Sequence, residues 1–215
     1  MKAKCFSNKS AEQGITIDKS YVIFAGTCIE DKYGYKTITN IYIQDDLGSL
    51  GIYNVKYFNI QSISFDKYSF VSENQAEFLF DTIAYDGFWS KFYSDSPEGL
   101  EDYLKAKQDF KKAKMLLYRE YTSDELRLRI LTESFDERDF IFEFLRVQGN
   151  DSFIELAIGL IKDGIEKGVK YYDVEEIFRY LASLKNELVN DFFIEYMSDD
   201  VWENENINDI VYNYF

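Results

Sequence analysis

Any chemistry in this chain has to be done with carboxylates and phenols. It holds 39 Asp and Glu against 24 Lys and Arg, with 18 Tyr, two Cys and no His. Without histidine there is no His-based triad, no His-ligated zinc and no imidazole base near neutral pH. The most suggestive carboxylates are Glu187, Asp191 and Glu195, spaced four residues apart. That spacing sets them on one side of a helix, where like charges repel by about 0.2–0.5 kcal/mol per pair. Asp199, Asp200, Glu203 and Glu205 extend the run, and no Lys or Arg follows Lys185. A ridge of acids that costs stability invites a basic partner, which the charges would steer into contact. Trp202 and Tyr196 would supply the desolvated contact that holds it. The competing reading is a solvated face that keeps the protein soluble.

The familiar catalytic motifs are missing. The chain lacks a Gly-rich phosphate loop, a GxSxG elbow, a CxxC pair and an HExxH helix. The stretch Asp199–Glu205 has oxygen ligands but neither the glycine nor the spacing of an EF-hand loop, so no metal and no cofactor is assigned. Carboxylate pairs would serve a glycosidase only at a defined separation and with one raised pKa. A net charge of −15 argues against nucleic acid and against an anionic membrane as direct partners. The N-terminus has no apolar core of a signal peptide, and no apolar run reaches the length of a membrane span. Cys5 and Cys28 form neither a metal spacing nor a disulfide framework. These features predict a soluble cytoplasmic protein with reduced thiols.

The acidic run grows out of the clearest helical pattern in the sequence, residues 150 to 197. Ser152 with Glu155 is expected to cap a helix whose inner stripe is Phe153, Ile154, Ala157, Ile158, Leu160, Ile161 and Ile165. Gly164 and Gly168 are the expected stops. Asp173 is expected to open the next helix, with Val174, Ile177, Phe178, Leu181 and Leu184 inside. Leu188, Val189, Phe192, Phe193, Tyr196 and Met197 then form the inner side of the helix that carries the acids.

The N-terminal third has a different period. Residues 1 to about 13 are polar and expected to be loose. Tyr21–Phe24, Tyr35–Ile43, Ile52–Phe58 and Ile60–Phe65 are short β-rich runs, parted by turn residues at Asp31–Gly34 and Asp45–Gly48. Gly14-Ile-Thr-Ile-Asp18-Lys-Ser-Tyr21, the Tyr-rich strand, Asp45-Asp46-Leu-Gly48 and Tyr57-Phe58 together resemble the small SH3-like barrels of phage and mobile-element proteins. Asp18 stands where those barrels usually have glycine, and the turn carries one extra residue. The resemblance implies a β-barrel that binds proteins or peptides more often than it catalyses.

Between the two lie further helical signals. Ser72–Gln75 is expected to cap a helix with Ala76, Leu79, Phe80 and Ile83 inside. Gly87–Tyr93 is an aromatic cluster assigned to the core. Ser96-Pro97-Glu98 opens a helix that runs to about Tyr118 and carries Lys105, Lys107, Lys111, Lys112 and Lys114. Residues 125–131 fit a helix or one arm of a hairpin, with helix preferred. Asp136 is expected to cap the next helix, which ends near Gly149. Asp139–Leu145 and Asp191–Met197 share a pattern of acids and aromatics that resembles a HEAT-type helical repeat. A last helix uses Ile207, Ile210, Val211 and Tyr214, with Phe215 expected to dock.

The sequence thus predicts an α+β protein: a small β-barrel module over 1–70 and a helical domain over 71–215. The expected function is non-enzymatic binding of a basic protein, in the manner of an immunity, antitoxin-like or anti-defence protein, through Glu187, Asp191, Glu195, Asp199, Asp200, Trp202, Glu203 and Glu205. A duplex mimic, a carboxylate- and tyrosine-based enzyme and a phage structural or regulatory protein are the rival readings.

Overall fold

The computed structural model describes residues 1–7, 14–62, 67–71, 77–166, 174–198 and 204–215. The protein is α+β, with an antiparallel sheet followed by helices. The chain divides into two compact units, Met1–Arg119 and Glu120–Phe215.

In the first unit, β2 (Ser20–Glu30) is the spine. One of its edges pairs with β3 (Lys36–Gln44), and β4 (Leu50–Asn54) lies beyond β3. Its other edge takes β1 (Lys2–Cys5) at Val22 and then β7 (Glu77–Phe80) at Ala25. β5 (Phe58–Ser62) pairs with β1, and β6 (Tyr68–Val71) with β7. A single 3-10 turn, Val55–Tyr57, joins β4 to β5. The path β4-β3-β2-β1-β5 leaves β4 and β5 at its ends, with no pairing between those two among the described residues.

Two expectations fail here. The N-terminus is a strand, not a loose lead: Lys2-Ala-Lys-Cys5 alternates, and Ala3 and Cys5 are fully buried. Residues 77–80 are a strand, not a helix. Phe78, Leu79 and Phe80 fit either period, and pairing on β2 and β6 decides for the strand. The proposed cap Ser72–Gln75 and Ala76 lie outside the described residues, as do Ile63–Phe65 of the last expected β-rich run.

Aspartates shape the turns. Asp45 accepts from the amides of Leu47 and Ser49, and Asp31 from those of Tyr33 and Tyr35. Asp46 ties down the lead into β2, accepting from Thr16 Oγ1 at 2.7 Å, Lys19 Nζ at 2.6 Å and Tyr21 OH at 2.9 Å. Asp18 takes a φ of 64°, the left-handed geometry that glycine adopts most readily.

Helices cover one face of the sheet. Phe24 of β2 meets Phe80 at 5.5 Å and Phe110 at 5.7 Å. Phe110 belongs to α2 (Pro97–Tyr118), which starts as expected, with Ser96 Oγ accepting from Gly99 N. The preceding short helix α1 (Phe88–Tyr93) packs so closely on α2 that a Cβ at Gly99 would sit 2.7 Å from the Lys91 carbonyl carbon and 2.8 Å from Phe92 N.

The second unit is all helical where described: α3 (Ser123–Thr132), α4 (Phe135–Gln148), α5 (Ile154–Glu166), α6 (Glu175–Ala182), α7 (Glu187–Ser198) and α8 (Glu205–Tyr212). Residues 125–131 are thus helical. Thr122 and Glu125 form a reciprocal capping box, which accounts for the choice: Glu125 N donates to Thr122 Oγ1, and Thr122 N to Glu125 Oε2 at 2.7 Å. The cap of α4 is Ser134 rather than Asp136, which sits in the first turn. Gly149 ends α4 with a φ of 60°, and Asn150 N bonds back to Leu145 O. Ser152 does not cap α5 as expected, because its hydroxyl donates to Asn150 Oδ1 at 2.6 Å. Gly164 does not stop α5, which runs through it to Glu166. Asp173 and Gly168, and the side chain of Ile165, lie outside the described residues.

α6 is the centre of this unit, packed by α4, α5 and α8. Its Val174 lead, Ile177, Phe178, Leu181 and Leu184 are all buried, as their spacing predicts. Phe178 meets Phe192, Phe193 and Tyr196 of α7 at 5.9, 6.0 and 5.2 Å. At the C-terminus the docking ring is Tyr214, not Phe215. Tyr214 packs edge-on against Phe193 at 5.0 Å, while Phe215 is 61 % exposed.

Gly99→Ala forces two backbones apart and is expected to cost about 1–3 kcal/mol. Chemical denaturation checks this: the urea midpoint falls with an unchanged slope.

Candidate partner-binding surface

α7 is positioned by its N-terminal cap and by its buried side. Asn186 Oδ1 accepts from Leu188 N at its start, and the rings Phe192, Phe193 and Tyr196 press its inner side onto α6. With those rings and Val189 inside, the 100° step per residue turns Glu187, Asp191 and Glu195 outward together, and all three are exposed. Glu195 is answered by Lys162 of α5, with Nζ–Oε distances of 2.7 and 3.0 Å. Both side chains are about half exposed or more, so this pair contributes about 0–1 kcal/mol. Glu187 and Asp191 make no ion pair among the described residues.

The expected apolar side of α7 needs correction. Leu188 and Met197 do not face inward; with Ile194 they stand exposed among the acids. Tyr196 is not available for contact, being buried, with its hydroxyl donating to Asn208 Oδ1 at 2.6 Å. Ring packing around Phe178 claims it for the core. Asp199, Asp200, Trp202 and Glu203 lie outside the described residues. Glu205 is exposed on a separate helix, in the first turn of α8.

Charge is divided unevenly between the units. Residues 1–119 hold 16 acids and 15 bases, a net of −1, whereas residues 120–215 hold 23 acids and 9 bases, a net of −14. The lysine-rich α2 is answered largely within its own unit. Lys105 pairs with Glu101 and Asp102, Lys112 with Asp109, and the buried Lys114 donates to Gln44 Oε1.

The first unit holds a constellation that sequence reasoning missed. Trp89 of α1 stacks on Tyr42 of β3 at 5.2 Å and lies nearly parallel to Tyr93 at 5.9 Å. Its indole N–H donates to Glu77 Oε1 at 2.7 Å. Burial holds the Glu77 carboxyl above its ordinary pKa, partly offset by the Trp89 bond, and burial with the neighbouring Glu77 raises the Tyr42 phenol. The aromatic run is legible in the sequence but reads there as core. Phe88 is indeed buried, whereas Trp89 is only partly so and Tyr93 is 71 % exposed. Glu77 is hidden because its stretch reads as helix.

The chain matches no family model, no curated protein and no solved structure. No helix among the described residues is long and apolar enough to cross a membrane. Cys5 and Cys28 are free and buried, with burial pushing both thiols up, which suppresses thiolate reactivity.

A carboxyl raised on folding favours the folded state while protonated, and that contribution is lost as pH rises through the folded-state pKa. Glu77→Gln keeps an acceptor for Trp89 and removes the ionisation. The Tm of this variant relative to the parent is therefore expected to climb as pH rises from about 4 towards 7, measured by thermal melts across that range.

Proposed function

We propose that this chain is a non-enzymatic binding protein whose acidic helical unit engages a basic surface on another protein and neutralises it by occlusion, as immunity, antitoxin-like and anti-defence proteins do. The observation that carries the reading is the charge partition: essentially the whole net charge sits in residues 120–215. A solubilising surplus has no reason to spare the first unit. The outward set Glu187 and Asp191 supplies the steering charge, and Leu188 and Ile194 on either flank supply apolar area that is dehydrated on contact.

Residues 1–70 read as a small SH3-like barrel module, supported by the strand path β4-β3-β2-β1-β5 and the 3-10 turn between β4 and β5. A duplex mimic draws less support, because Lys162 breaks the carboxylate row at Glu195. A carboxylate- and tyrosine-based enzyme is favoured by one observation, the raised Glu77 beside Tyr42.

The test is kinetic. Glu187→Gln combined with Asp191→Asn is expected to slow association with a basic protein captured on the parent chain by about tenfold at low ionic strength, with little change in dissociation. The difference should shrink as salt screens the charges. Equal association rates for both proteins at every ionic strength would overturn the reading.

A further inference from the structure

Gly159 lies in the middle of α5, exposed, and an added Cβ there would meet no atom within 4 Å among the described residues, its own helix's backbone aside. Nor does its φ fall in the left-handed region. No packing and no backbone geometry among the described residues therefore requires glycine at a position where it weakens the helix. Glycine in a helix interior does serve one purpose: it lets another backbone approach closely.

Its neighbourhood is defined. Lys162, three residues on, aligns α5 with α7, its ammonium on Glu195 at 2.7 Å and 5.9 Å above the Phe192 ring. Glu155, four residues before Gly159, falls on the same side of α5 and is exposed. Across the seam, α7 presents Leu188, Asp191 and Glu195 at spacings of three and four, with Ile194 on the far flank of the acids. Apolar and acidic groups at that spacing match the side chains along one face of a second helix, whose residues recur at the same interval.

We propose that the outer face of the α5–α7 pair receives a cationic amphipathic helix of another protein, crossing α5 at Gly159. The proposal rests on the reading of the acidic unit as the binding unit. The incoming Lys and Arg meet Glu155, Glu187 and Asp191, and its apolar side covers Leu188 and Ile194. A second copy of this chain is a poor occupant, since the same face would set Glu187 and Asp191 against like charge, and Lys105 and Lys112 of α2 are paired within their own helix.

The probe is a synthetic Leu/Lys amphipathic peptide of about five helical turns, added to the full-length chain at physiological ionic strength. Amide shift changes are expected to centre on Glu155, Gly159, Leu188, Asp191 and Ile194. Gly159→Leu fills open space on the free protein, so its Tm should rise while its affinity for the peptide falls about tenfold or more. Asp124→Asn, an exposed charge change on α3, should leave affinity unchanged. If the peptide binds but Gly159→Leu is without effect and shifts spread over α3 and α4, the location is wrong while the acidic unit remains the binding unit. If the peptide does not bind, both fall. Self-association that protects the α5–α7 face from exchange would overturn the proposal in favour of a second copy.

Discussion

The rings behind α7 determine what stands in front of it. Phe192, Phe193 and Tyr196 are committed to the cluster around Phe178, and Val189 completes the buried side. Once four positions of a twelve-residue helix are pinned inward, the helical step leaves no freedom for the rest. Leu188, Asp191, Ile194, Glu195 and Met197 are outside because the aromatics are inside. The surface therefore inherits the rigidity of a packed core, so its geometry is set before any partner arrives.

A unit with 23 acids and 9 bases has to limit its own repulsion. Much of the acid sits where the helix dipole welcomes it. Asp124 and Glu125, Asp136 and Glu137, Glu155, Glu175 and Glu176, Glu187 and Glu205 occupy first turns of α3 to α8. Arginines answer some as well: Glu133 holds Arg129, and of the first-turn acids Glu175 holds Arg179 and Glu176 reaches Arg146. Asp191 has neither excuse. It lies in mid-helix, exposed, with no ion pair among the described residues, so the fold itself gives no reason for it. That makes it the most telling residue of the outward set, ahead of Glu187, which the dipole explains, and Glu195, which Lys162 answers.

The parts of this structure that were legible in sequence are those where local and tertiary preferences agree. Ser96-Pro97 opens α2 and Gly149 closes α4, since a cap is a local hydrogen-bond problem that the nearby residues solve themselves. The buried face of α6 follows from its period. The failures share one cause, a distant partner that a local pattern does not contain. Lys2–Cys5 is polar by composition yet is paired on both edges by β2 and β5. Glu77–Phe80 suits a helix until β2 and β6 are beside it. Leu188 and Met197 look like core in a periodicity whose stripe is wide, and only the width of the seat on α6 decides which edge of the stripe is left out. The Glu77–Trp89 bond spans two elements and has no local signature at all.

Gly99 and Gly159 show how the same residue type answers opposite demands. At Gly99 the reason for glycine is steric: a methyl group would collide with the backbone of α1 at 2.7 Å. At Gly159 the space that a methyl group would enter is empty among the described residues. Stability alone would favour a side chain there, because the cost of glycine in a helix interior is met by nothing in return. Under the proposed docking of a helix at Gly159, a position that forgoes available stability without strain or crowding answers a requirement from outside the fold. Its place beside the Lys162–Glu195 bridge, on the unit that carries the charge, ties that requirement to the same face that the rings of α7 hold outward.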